Sequence, residues 1–189
     1  MNSENNFLKI LNENKEDIEL TKKIILNNKD IINKDFKINN NSEIFSPLTY
    51  CLEKKLSELS IFLIDQGANI NYKTYPKEDY PLLIACRHGL EDVVKKLLLN
   101  DNININCLNK DNETCYTILL NNLNVTIYNL ILDYVNQKKQ KSNSNINNKI
   151  ENKNNNKKKK IMINSLSLEL PLEYKNNYIN SKIGKFFFI

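Results

Sequence analysis

The sequence is poor in the residue types that most chemistry needs. It contains one histidine, no tryptophan, three glycines and four prolines in 189 residues. The glycines stand alone at 67, 89 and 184, so no Gly-rich loop exists to cradle a phosphate. His88 is the single imidazole available as a general base or as a nitrogen ligand. The four cysteines, Cys51, Cys86, Cys107 and Cys115, include no CxxC pair, which excludes the common zinc and dithiol patterns. Adjacent acidic pairs such as Glu16-Asp17 and Glu91-Asp92 point different ways on a helix. The expectation is a protein that is not an enzyme and holds no cofactor and no metal. Long apolar runs are also missing. A membrane span needs about 20 apolar residues, and the closing Phe186 to Ile189 is far shorter. The chain opens on the polar MNSENN, so the reading is an intracellular, cytoplasmic protein with reduced thiols and no membrane association.

Enough apolar material remains for a core: hydrophobic residues make up 41% of the chain, an ordinary globular fraction. Asn, Lys and Ile are abundant, and isolated Asn and Lys are discounted as compositional. Net charge is uneven. Residues 1–135 carry 15 basic and 19 acidic side chains, whereas 136–189 carry 12 and 3. A mildly acidic body therefore precedes a basic tail. The overall charge of +5 would suggest nucleic-acid binding, but only the tail could support it.

Three segments align with starts 34 residues apart: Ser46 onward, Tyr80 onward and Thr114 onward. A period near 33, with a short helix, a second helix and a turn, is that of ankyrin repeats. The residues resemble that family in detail. Ser46-Pro47-Leu48-Thr49, Tyr80-Pro81-Leu82-Leu83 and Thr114-Cys115-Tyr116-Thr117 stand where the family has Thr-Pro-Leu-His. A hydroxyl before Pro suits a helix start, because it caps free N–H groups. Arg87-His88-Gly89 resembles the turn between helices, and Gln66-Gly67-Ala68-Asn69-Ile70-Asn71 the exit Gly-Ala-Asp-Val-Asn. The motif's His is absent from all three repeats, which implies weaker bracing between units. Asn112 stands where a turn glycine is usual, and Asn tolerates the left-handed region.

The resemblance implies an all-α fold, a short ankyrin-repeat α-solenoid of helix-turn-helix units with hairpin loops. Residues 1–45 read as a degenerate capping repeat and 46–135 as three repeats. Residues 136–160 read as a disordered Asn/Lys-rich tail, because charge is high and apolar content low, and 161–189 stay unassigned. The expected core includes Leu48, Leu52, Phe62, Leu63 and Ile70, then Leu82, Val94, Leu97 and Leu98, then Leu120, Ile127, Leu130 and Ile131.

Ankyrin proteins bind partners through hairpin tips and the exposed side of the first helices. The resemblance thus implies a protein-protein interaction module or scaffold whose partner-binding face holds Glu53, Lys54, Lys73, Tyr75, Lys77, Glu78, Arg87, His88, Lys110, Asn112, Asn121 and Asn122. Tyr75 and Arg87, both expected to be exposed, are the best anchors chemically. The partner is expected to be a protein and the chain a monomer. The alternative is a nuclear or nucleic-acid-associated role through Lys157, Lys158, Lys159 and Lys160.

Overall fold

The structure, a computed structural model, describes residues 6–14, 17–38 and 42–151. Residues up to Ser144 form one compact unit. It is a stack of helix pairs. The helices are α1 (Asn6–Glu13), α2 (Ile18–Asn27), α3 (Pro47–Glu53), α4 (Ser57–Asp65), α5 (Pro81–Arg87), α6 (Glu91–Leu98), α7 (Cys115–Asn121) and α8 (Val125–Glu151). Helices α3, α5 and α7 pack in one row, and α2, α4 and α6 in a second. Two short strands, β1 (Phe36–Lys37) and β2 (Ile44–Phe45), pair antiparallel before α3.

Local chemistry sets the helix starts. Ser46 and Thr114 each accept from the backbone N–H three residues on, at 3.2 and 3.1 Å. Thr49 and Thr117 return the bond to the cap backbone at 2.9 and 2.8 Å, closing reciprocal capping boxes. These threonines occupy the position of the motif's missing His. Pro47 and Pro81 fill the first helical turn, where no N–H partner is needed. The turn between paired helices uses the same backbone each time: Lys55, Gly89 and Leu123 have φ of 58°, 67° and 55°.

No single helix pair can bury its own apolar stripe, so the core runs between pairs. Leu48, Leu52 and Leu63 in one layer, and Leu82, Val94 and Leu97 in the next, are all 0–1% exposed. Ile127 and Ile131 of α8 close the core. Phe7, Phe36, Tyr50 and Phe45 form a row of ring contacts, 5.5–6.1 Å between centroids, that ties the first helix pair to α3.

Helix α8 runs past the third repeat as far as Glu151. No Pro or Gly interrupts 125–151, its Lys, Gln and Glu residues are good helix formers, and a turn anchored in the core propagates outward. Residues 152–189, including Lys157 to Lys160, lie outside the described residues. No helix among those described is long and apolar enough to cross a membrane.

Candidate partner-binding site

The hairpin tips are joined edge to edge. Ile44 and Tyr75 exchange backbone bonds of 2.8 and 3.2 Å, and the Lys110 N–H donates to the Lys77 carbonyl at 3.0 Å. These pairings hold the tips in a row above the ends of the first helices. Between tip and helix lies a groove of about 260 Å³. Glu53 and Lys54 line it from the end of α3, and Tyr75 and Lys77 from the facing tip. Tyr50 and Phe45 form an aromatic floor, with Ile38 and Glu43 beside them. Tyr75 is 55% exposed although its backbone N–H and carbonyl are both bonded to Ile44. The Lys54 ammonium sits 5.5 Å from the centre of the Tyr50 ring.

Arg87 differs from the expectation of an exposed anchor. Its guanidinium turns inward and forks onto Asp79, with N–O distances of 2.8 and 2.9 Å. It also donates to Glu113 at 2.9 Å. Asp79 is 1% exposed, and the Asn109 amide donates both to it and to Glu113 at 2.8 Å. Arg87 therefore clamps two consecutive hairpins together. The two carboxylates hold it charged, and its pKa lies above the ordinary guanidinium value, through the Asp79 hydrogen bond first.

The remaining predicted positions divide between wall and surface. His88 Nε2 lies 2.9 Å from Glu53, linking the ends of α5 and α3. Lys73 and Glu78 pair at 2.5 Å across one tip. Asn122 donates to the Arg87 carbonyl at 3.1 Å. Lys110 and Asn112 are exposed on the next tip, and Asn121 is exposed on α7. Glu78 and Asn112, 34 residues apart, share a left-handed backbone with φ of 60° and 59°. The groove thus gathers Glu53, Lys54, Tyr75 and Lys77, while Lys110, Asn112, Asn121 and Asn122 lie outside its lining.

Sequence reading missed the groove floor and the bracing between units. Tyr50, Phe45 and Glu43 carry no motif that singles them out. The exit-turn asparagines, legible as part of the exit motif, also form a ladder. Asn33 accepts from the Asn69 N–H at 2.7 Å and donates to the Gly67 carbonyl at 3.1 Å. One unit on, Asn71 accepts from the Asn104 N–H at 2.9 Å and donates to the Asn102 carbonyl at 2.8 Å. The recurrence of Asn at the exits was the available signal.

All four cysteines are free and buried. Burial pushes the Cys107 thiol up to about 11 and the Cys115 thiol to about 12, and raises Cys51 and Cys86 further. They behave as compact apolar side chains rather than nucleophiles. Among the described residues, no three His, Cys, Asp or Glu side chains come together as a metal site.

Residues 77–110 match the family model for the ankyrin repeat. A curated protein of Rickettsia bellii (strain RML369-C), described as "Putative ankyrin repeat protein", is 33% identical over 106 residues, covering 52% of this chain. The chain spans 15% of that protein's length.

Proposed function

We propose that this chain, an ankyrin-repeat protein with a matched repeat at 77–110, is a non-enzymatic interaction module that binds a protein partner through the concave side of its stack. Ankyrin repeats in general mediate protein-protein interaction, which supports the class of function. The observation that carries the finer reading is the groove in which Tyr75 stands 55% exposed beside Lys77, facing Glu53 and Lys54. A large amphipathic ring on a fixed backbone loses little entropy when a partner covers it, and Tyr is enriched at interface hot spots. Lys110, Asn112, Asn121 and Asn122 extend the proposed face along the stack. Arg87, His88, Lys73 and Glu78 act in this reading mainly by holding its walls. An intracellular site of action is part of the proposal, supported by four unpaired cysteines.

The test is capture with the immobilised full chain, run in parallel with Tyr75→Ala and with Tyr75→Ala/Lys77→Ala. A protein retained by the parent and lost from both variants is the expected result. Equal retention by all three would place the binding elsewhere.

A further inference from the structure

Among the described residues, the last helix pair, α7–α8, carries an apolar face. Aligning the three repeats in register shows where it comes from. Leu48 and Leu82 correspond to Tyr116, and Ser60 and Val94 correspond to Tyr128. In the first two repeats these positions are 0–1% exposed, because the following pair covers them. In the third, Tyr116 and Tyr128 are half-buried and stack edge-on at 5.8 Å. Ile64 is 7% exposed, whereas its counterpart Leu132 is 40% exposed.

Two further positions change character in this repeat alone. Lys55 and Gly89 become Leu123, which is 71% exposed, and Ser57 and Glu91 become Val125, which is 65% exposed. A terminal repeat normally carries a polar outer face, and the described surface of this one is apolar at these positions. Contiguous exposed apolar surface of this kind marks an interaction site.

The spacing on α8 indicates what covers it. Val125, Tyr128, Leu132 and Val135 follow one another at three, four and three residues, a stripe along one helix face. That spacing reads the same in both directions. An antiparallel copy of α8 sets Val125 against Val135 and Tyr128 against Leu132, and the stripe itself carries no charge to repel its own image. A surface that complements itself under a two-fold axis is the geometry of a symmetric dimer. Tyr116 and Tyr128 on this face continue, in register, the positions through which each earlier helix pair meets the next.

We propose that the α7–α8 end face is a homodimer interface, with two copies joined through antiparallel α8 helices. This revises the expectation of a monomer and does not depend on the groove.

Sedimentation velocity of the full chain across a range of concentrations tests it. The parent should populate a dimer. Leu132→Lys and Val125→Lys should each weaken the dimer about tenfold or more by burying a charge at the interface. Their circular dichroism melts should match the parent's at concentrations where the parent is monomeric, since both sites are exposed in the monomer. Val125→Lys and Val135→Glu, each weakened alone, should form a mixed dimer when combined, because the antiparallel register places the two positions together. A parent that remains monomeric, a Leu132→Lys protein that dimerises like the parent, or a mixture with no recovery would each overturn the proposal.

Discussion

Arg87 shows how one side chain can fix a binding surface without lying on it. Its fork onto Asp79 and its bond to Glu113 join two hairpins. Asp79 is 1% exposed, so removing the guanidinium leaves a carboxylate with no cation in a poorly solvated place. Losing one partner of such a pair costs about 3 kcal/mol or more. Arg87→Ala is therefore expected to lower stability by about that amount, with denaturant titration as the measurement. Asp79→Asn introduced into Arg87→Ala should recover part of the loss, since it removes the stranded charge. A near-neutral Arg87→Ala would contradict the clamp. The thiols add a pH dependence at the same scale. Unfolded cysteines ionise from about pH 8.5, while in the fold Cys107 is pushed up to about 11 and Cys115 to about 12. The fold favours the protonated thiol, so this stability is complete below the unfolded value and is lost as pH rises toward the folded one. Thermal melts should shift downward as pH increases from about 9 to about 11. A flat profile over that window would contradict the burial of these groups.

At the scale of the element, the inter-helix turns and the exit turns set the geometry of the stack. Lys55 and Leu123 adopt the left-handed backbone that Gly89 supplies in the middle repeat. A residue with a Cβ pays about 1 kcal/mol there. Lys55→Gly should thus raise stability by roughly 0.5–1 kcal/mol in a denaturant titration, and a loss would show that its side chain compensates. The Asn ladder works between elements. Asn71→Ala removes both bonds to the next exit turn and should cost about 0.5–1.5 kcal/mol per bond lost. Helix starts at Ser46, Tyr80 and Thr114 were legible, because Pro and hydroxyl residues act within a few positions. The ladder was not, because its bonds join residues 31–36 positions apart and only stacking brings them together.

For the whole molecule, stability is shared along the stack, since each pair is buried by its neighbours. Leu97 is 0% exposed in the central repeat, so Leu97→Ala is expected to cost about 2–5 kcal/mol and to loosen the flanking pairs with it. The repeat register, and with it most of the core, could be read from the 34-residue period. The groove could be read only in outline. The family resemblance named Glu53, Lys54, Tyr75 and Lys77, but the inward turn of Arg87 depends on Asp79, Asn109 and Glu113, which no motif marks. Binding through the groove is the central claim, and one titration tests it most directly. The affinity of a captured partner is measured by calorimetry for the parent, for Tyr75→Ala and for Leu132→Lys, which lies on the end face. The account predicts that Tyr75→Ala weakens binding by about 2 kcal/mol while Leu132→Lys leaves the intrinsic affinity unchanged. Tyr75→Ala binding as tightly as the parent would contradict it.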